Sequence, residues 1–401
     1  MDWTRLLLFA LLSAGNAELM VVLVNRLHAL PIPCRTLRHV RHLHDLLIPG
    51  FPLLLVWCLG FRGPQLLVGG NWSDVPLGWT VYLALCALGV LSLLSSVIRH
   101  LFRRAPATLL SNHTRLVDVA DELGTPPIGD GPFRWLIRVP GNQVFEISVA
   151  TKHLTLPRLP REWNGLSILH LSDWHFIGTI DKPFFERASE LASEQNVDLI
   201  VFTGDLLDEQ DLAAWIPGTL GSLSAPLGCC FILGNHDWYL DHRAISAALQ
   251  QQGWVDVMGR VASINHRGRR LLVGGTAAPW IGDHPDFSAA ARDAHSNPAL
   301  RDFRLLLSHT PDHLRWAQSE DVDLMLAGHN HGGQVVLPLI GPVYSPSLTG
   351  CRFAGGLFED SPTVLHVSRG LSGRHPLRIN CRPEITKIVL HSPEPGSNSA
   401  G

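Results

Sequence analysis

The stretch that most restricts this chain is Gly234-Asn235-His236-Asp237, which directly follows the short apolar run 229–233. A strand that stops there leaves an amide oxygen and an imidazole at its carboxyl tip, where open α/β sheets bind ligands. Alone, the tetrapeptide is also a common tight turn. Three other stretches repeat the arrangement. Asp173-Trp174-His175 comes after Ser167-Ile168-Leu169-His170-Leu171, and Gly204-Asp205 after Asp198-Leu199-Ile200-Val201-Phe202. Gly328-His329-Asn330-His331 comes after Val322-Asp323-Leu324-Met325-Leu326. A further run, 303–307, ends in Ser308-His309. Turns alone do not explain so many apolar runs that end in the same kind of donor.

The strand ends collect Asp173, His175, Asp205, Asn235, His236, His309, His329 and His331. Carboxylate and imidazole without thiolate suit divalent Mn, Fe, Zn or Mg. The set exceeds what one ion needs, so two ions sharing a bridging carboxylate are expected. The seven cysteines, at 34, 58, 86, 229, 230, 351 and 381, form no C-x-x-C pair. That argues against a thiolate zinc site. Their odd number and scattered spacing fit a reducing compartment.

Around these motifs the chain alternates strand and helix from residue 166, the pattern of an α/β domain. A helix is expected over 182–194, with Asp181 as N-cap and Pro183 in the first turn. A second is expected over 242–252, capped by Asp241 and closed by Gly253. Residues 143–156 read as one or two strands, and 271–274, 303–307, 364–367 and 385–390 as further strands. Residues 285–300 read as a helical excursion. Residues 105–141, rich in Pro, Gly and polar groups, read as a linker. The catalytic domain is then 142–390, and the Pro-, Ser- and Gly-rich tail 391–401 is expected to be disordered.

The first 104 residues differ in kind. Charged residues are 17% of the 401-residue chain, against the usual quarter, and the shortage lies mainly here. Residues 6–27 are nearly continuous apolar sequence, and 75–98 are apolar and uncharged. Both are long enough to cross a bilayer. A cleaved signal peptide fits the first run less well, because residues 1–5 carry no net positive charge and the apolar run continues past residue 17. Residues 46–61 are short and carry Pro49 and Pro52, so they read either as a span or as a re-entrant segment. Arg26, Arg35, Arg38 and Arg41 follow the first run, and Arg99, Arg103 and Arg104 follow the last. Arginine-rich loops stay cytoplasmic, and three spans put both clusters on one side. The expected arrangement is a multi-pass protein of the cell (inner) membrane, N-terminus outside, with everything after residue 98 in the cytoplasm. His39, His42 and His44 read as part of a basic loop facing lipid headgroups. A net charge of −3 supplies no broad basic surface, and no nucleic-acid partner is expected.

The ordered set D-x-H, G-D, G-N-H-D, H, G-H-x-H resembles the calcineurin-like metallophosphoesterases, with every motif intact between residues 166 and 390. The resemblance implies a four-layer α/β/β/α sandwich of two mixed sheets, here with an N-terminal transmembrane helical region. It assigns Asp173, His175 and His331 to one metal, Asn235, His309 and His329 to the other, and Asp205 to both. His236 becomes the catalytic acid and Asp237 the residue that orients its ring. Asp208 matches a common acidic position and receives no ligand role. Two ions of this kind acidify a water, hold phosphate oxygens and align in-line attack.

Within the family the likeness is to the membrane-associated YkuE/YaeI type. It rests on Gly332-Gly333-Gln334, Leu337-Pro338, Gly341-Pro342-Val343-Tyr344, Ala354-Gly355-Gly356-Leu357, Val367-Ser368-Arg369-Gly370 and Pro376-Leu377-Arg378-Ile379-Asn380. Leu156-Pro157-Arg158-Leu159-Pro160 fits the same type. That type includes hydrolases of UDP-2,3-diacylglucosamine in lipid A biosynthesis. The expected substrate is therefore a phosphorylated small molecule or glycolipid. The departures are the triple-span N-terminus and the loop Ser372-Gly373-Arg374-His375. The alternatives are a general phosphodiesterase, a phosphoprotein phosphatase, or a non-catalytic membrane scaffold, which the intact ligand set disfavours. Arg352, Arg369, Arg374 and Arg378 suit anionic substrates.

Overall fold

The computed structural model describes residues 1–292 and 301–393. The chain divides into two compact units, one of Met1–Arg103 with Leu337–Arg352, the other of Arg104–Val336 with Phe353–Gly401.

The first unit is built on three helices, α1 (Trp3–His28), α2 (Cys34–Leu55) and α3 (Leu77–Leu101). All three are long and apolar enough to cross a membrane, the second when its continuation to Phe61 is included. The segment with Pro49 and Pro52 is thus one continuous helical rod. Each proline removes a backbone donor inside the helix, and the last turn, Val56–Phe61, widens to π geometry. At the crossing of α1 and α3 a Cβ on Gly15 would lie 1.9 Å from the Cys86 carbonyl, and one on Gly89 would lie 2.2 Å from that of Gly15. Only glycine permits this approach, a common device between apolar helices. Two polar contacts cross between the helices: Tyr82 donates to Asn16 (2.6 Å) and Ser92 to Glu18 (3.0 Å).

The two helices run the same way. Arg5, near the start of α1, donates to the carbonyls of Leu66 and Gly70, just ahead of α3. At the far end Asn25 of α1 accepts from Ser345 N (3.1 Å). Gly341 packs against His100 of α3, where a Cβ would lie 2.7 Å from the ring. The segment Leu337–Arg352 therefore covers the carboxyl ends of both helices.

The second unit holds two sheets. Its strands are β1 (Leu109–Asp118), β2 (Glu146–Thr155), β3 (Ser167–Leu171), β4 (Leu199–Thr203), β5 (Cys229–Ile232), β6 (Val255–Asp256), β7 (Val261–His266), β8 (Arg269–Thr276), β9 (Phe303–Ser308) and β10 (Leu324–Ala327). The short β11 (Val336–Leu337) and β12 (Gly341–Pro342) follow, with β12 in the first unit, and then β13 (Gly356–Asp360), β14 (Thr363–Val367) and β15 (Glu384–His391). One sheet has the order β1-β2-β15-β3-β4-β5-β6 and the other β13-β14-β10-β9-β8-β7. β3, β4 and β5 are mutually parallel, as are β8, β9 and β10.

Alternation along each strand builds the layers. Leu199 and Val201 of β4 meet Leu305, Leu307, Leu324 and Leu326 between the sheets. Ile200 and Phe202 point the other way, into a core with Phe184, Phe185 and Leu191. Met325 and Ala327 face outward from β10 onto Leu314 and Ala317. Both faces of the central parallel strands are thus covered, which is why β3, β4, β5 and β10 read as unbroken apolar runs. The outer helix over the first sheet, α4 here (Lys182–Ser193), is capped by Asp181 accepting from Lys182 N, with Pro183 in its first turn. Each buried phenylalanine contributes about 2–3 kcal/mol of transfer free energy.

Two sequence expectations change, and a third is met where the structure describes it. Residues 105–141 are not a bare linker, because β1 lies there and pairs antiparallel with β2 along its length. Its side chains are mostly exposed and polar, so no apolar periodicity marks it. The last strand includes His391, which starts the expected tail. Of the excursion 285–300, Phe287–Arg292 is helical. Residues 293–300, and residues 394–401 of the tail, lie outside the described residues.

Candidate metal centre

Each expected donor sits just past the carboxyl end of a parallel strand. Asp173 and His175 follow β3, Asp205 follows β4, Asn235 and His236 follow β5, His309 follows β9, and His329 and His331 follow β10. The backbone there is unusual. Asp173 (φ 53°), His175 (48°), Asp205 (57°), His329 (71°) and His331 (50°) all adopt left-handed conformations. Asp and His tolerate this better than most residues, at a cost of about 1–3 kcal/mol each. Such strain, concentrated in one spot, marks a site whose geometry the surrounding fold enforces. Gly234 is required for space: a Cβ there would lie 2.2 Å from Asp205 Oδ1.

The side chains converge in three groups, of which two share Asp205 and the third joins His175, Asp208 and His236. Asp173, His175, Asp205 and His331 bring donor atoms within 4.8 Å of one another, and so do Asp205, His309 and His329. His175 Nε2 lies 3.2 Å from His331 Nε2 and 3.5 Å from Asp205 Oδ2. His309 Nε2 lies 3.0 Å from Asn235 Oδ1, 3.1 Å from His329 Nδ1 and 3.3 Å from Asp205 Oδ1. Atoms that each sit about 2.0–2.2 Å from one cation are separated by about this much.

The opposite ring nitrogens are already fixed. His309 Nδ1 donates to Thr203 O (2.8 Å), His331 Nδ1 to Ser372 O (3.1 Å) and His175 Nδ1 to Asp208 Oδ2 (2.8 Å). A donated Nδ1–H leaves the Nε2 lone pair facing inward, as a metal ligand requires. Asp205 Oδ2 is buried without a hydrogen-bond partner among the described residues. A buried carboxylate oxygen left so is costly unless a cation meets it. The donor set therefore fits divalent metal.

Electrostatics agree. Burial works against an imidazolium at His309, yet the Asp205 charge outweighs it and lifts the pKa to about 9. Burial also opposes ionisation of Asp205, but His309 and His236 hold its pKa well below the usual carboxylate range. At His331, burial and then the neighbouring His175 push the pKa well down, which keeps its lone pair available. The field that draws a proton to His309 would draw a divalent cation instead.

His236 lies beside these groups and is partly open, with its side chain 21% exposed. Its Nδ1 meets Asp208 Oδ1 at 2.5 Å. The expectation that Asp237 orients this ring is corrected here. Asp237 accepts from the amides of Gly234 (2.8 Å), Leu206 (3.1 Å) and Leu207 (3.0 Å) and is fully buried. Neighbouring residues of the helical turn Asn235–Trp238 diverge by about 100°, so side chains 236 and 237 leave in different directions. Asp208, left without a ligand role in the sequence reading, joins His175 to His236 through its two oxygens. The signal for it was a second carboxylate three residues past Asp205. Burial disfavours a charged His236, but Asp208 and then Asp205 overcome it and lift its pKa to about 10.

The four arginines separate. Arg378 is fully buried and donates to carbonyls of Arg369 (2.6 Å), His331 (3.1 Å) and Ser372. Arg369 pairs with Glu384 (2.8 Å). Arg352 belongs to the other unit. Arg374 lies with one Nη 4.0 Å from Asp208 Oδ1.

The fold and this constellation define a metallophosphoesterase. The family described as calcineurin-like phosphoesterase matches residues 166–333. The chain is 32% identical to the metallophosphoesterase YkuE of Bacillus subtilis, over 58% of this chain and 82% of that one. It is 31% identical to phosphodiesterase YaeI of Escherichia coli, over 56% and 81%. It is 25% identical to the UDP-2,3-diacylglucosamine pyrophosphatase LpxG of Chlamydia muridarum, over 57% and 85%. The chain belongs to the calcineurin-like phosphoesterase family and is a metal-dependent hydrolase of phosphoric esters or anhydrides.

Proposed function

We propose that the protein is a membrane-anchored phosphohydrolase with two divalent ions, acting on a phosphodiester or diphosphate bond of a lipid-linked substrate such as UDP-2,3-diacylglucosamine. The observation that carries this reading is that Asp205 is shared by two of the donor groups. Asp173, His175 and His331 would hold one ion with it, and Asn235, His309 and His329 the other. When bound, such a pair neutralises phosphate oxygens and makes an attacking water acidic. His236, not needed as a ligand, holds a proton at Nε2 for the leaving oxygen while Asp208 grips its Nδ1. Asp237 supports the loop after Asp205 through backbone amides.

Three helices long and apolar enough to span, and the 25% identity to a pyrophosphatase of that glycolipid, support the choice of substrate. The parallel run of α1 and α3 supports three spans, with both arginine clusters on one side and the catalytic unit in the cytoplasm. The test uses full-length protein stripped by chelator and reloaded with manganese. It should hydrolyse UDP-2,3-diacylglucosamine in vesicles to UMP and the lipid phosphate, with no turnover in the stripped form. Turnover of bis-p-nitrophenyl phosphate alone would refute the glycolipid assignment. A reporter fused after Leu390 should be active only if it is a type that needs the cytoplasm; activity of an export-dependent reporter would refute the topology.

A further inference from the structure

Arginine near a phosphate site is informative only when its guanidinium is not already used. Arg378 is spent on three carbonyls and Arg369 on Glu384. Arg374 makes no hydrogen bond to a described residue. It makes a long ion pair with Asp208, whose Oδ1 is 4.0 Å from its Nη1, beyond hydrogen-bond reach. Asp208 needs nothing from it, because its two oxygens already accept from His175 and His236. The Arg374 side chain is 42% exposed.

The backbone that carries this side chain is firmly held. Ser372 O accepts from His331 Nδ1 (3.1 Å) and from buried Arg378. At Gly373 a Cβ would lie 2.3 Å from Gln334 Nε2 and 3.6 Å from His331 Cε1, so the loop lies directly on the metal-binding histidine. On the other side, the His375 ring sits 4.5 Å from that of Phe133, and Asn142 donates to Pro376 O (2.8 Å). A rigid loop thus presents an uncommitted five-donor fork beside His236 and the converging donors.

We infer that Arg374 forms an anion subsite beside the metal centre that takes the non-reacting phosphoryl group of a diphosphate diester. The inference rests on the phosphohydrolase reading above and deepens it. A diphosphate diester carries one negative charge on each phosphoryl. With one phosphoryl at the converging donors, the second lies a single bridging oxygen away; Arg374 stands beside Asp208, which itself contacts the metal-binding His175. A monophosphate diester has no group to place there. Arginine suits the task because its planar fork binds two phosphate oxygens at once.

The test compares wild type with Arg374→Ala and Arg374→Lys in the full-length, manganese-loaded chain. Hydrolysis of bis-p-nitrophenyl phosphate is inhibited with UDP and with UMP, and UDP-glucose serves as a soluble diphosphate diester. Arg374→Ala should weaken UDP inhibition about 10- to 100-fold more than UMP inhibition. It should raise KM for UDP-glucose by a like factor, with metal content unchanged. Lysine should restore part of the difference, since it keeps the charge and loses the fork. Equal weakening toward UDP and UMP would overturn the subsite, as would no change toward either. If wild type leaves UDP-glucose intact while the UDP-to-UMP ratio still shifts, the subsite stands and the diphosphate substrate falls. If UDP-glucose is cleaved equally well by all three proteins, the substrate stands and the subsite falls.

Discussion

This molecule holds two pairs of buried histidines, and they do opposite things. His309 and His329 bring ring nitrogens to 3.1 Å, and His170 and His366 to 2.9 Å. All four are buried. The first pair stands past the strand ends beside Asp205; the second lies within β3 and β14. His170 spends both nitrogens on neutral partners, Nδ1 on His366 and Nε2 on the Thr203 hydroxyl (2.9 Å). Thr203 passes the chain to Ser172 (2.7 Å), and Ser172 to Asp173 (2.5 Å). Burial drives the His170 pKa down to about 3, although Glu384 pulls the other way. The same burial at His309 is overridden by Asp205. Separation and burial therefore do not make a metal site. A converging donor set does: Asp205 gathers His309 and His329 on one side and Asp173, His175 and His331 on the other.

Removing the shared carboxylate should have the largest effect. Asp205→Asn should leave the fold intact by circular dichroism yet lose most bound metal and nearly all hydrolysis of bis-p-nitrophenyl phosphate. Full metal content and activity would erase the distinction between the two pairs.

His236→Asn should keep the metals, since His236 supplies a proton and not a ligand. Its loss should cost roughly 10²–10⁴ in kcat on an alkyl phosphodiester and much less on a nitrophenyl ester, whose leaving group needs no proton. Equal losses on both would assign His236 to phosphate binding instead.

Asp208→Asn sharpens the electrostatic side. A raised pKa means that His236 keeps its proton to higher pH and loses it as pH rises through that value. Removing the Asp208 charge lowers the value, so the alkaline limb of kcat/KM should move to lower pH in protein loaded with the same metal. Loss of the His175 contact should also weaken metal binding about 10- to 100-fold. An unmoved alkaline limb would show that another group supplies the proton.

The smallest effect on activity belongs to the inner pair. His170→Gln should lower stability by about 1–3 kcal/mol in denaturant melts, the range for a broken buried hydrogen bond. Metal content should not change. Metal loss comparable to that of Asp205→Asn would join the two pairs into one site.

Sequence made the outer pair legible and hid the inner one, for a physical reason. His309, His329 and His331 stand where an apolar run stops, and that break is visible in one dimension. His170 and His366 sit inside apolar runs, where nothing local tells which buried residue they meet across the sheets. The same limit explains Asp237 and Asp208. Adjacency in sequence suggested that Asp237 holds the His236 ring, but a helical turn sends neighbours apart, and the true partner arrives from the loop after β4. β1 escaped notice because an exposed edge strand needs no apolar alternation. The arginines are a further case. Sequence offered four as equals, and only packing shows that Arg378 is structural while Arg374 is uncommitted.

The most direct test locates the ions. Crystals of manganese-loaded protein, measured at the manganese absorption edge, should show two anomalous peaks about 3.5–4 Å apart on either side of Asp205. No peak should appear between His170 and His366. A single peak at Asp205, or density at the inner pair, would contradict the account.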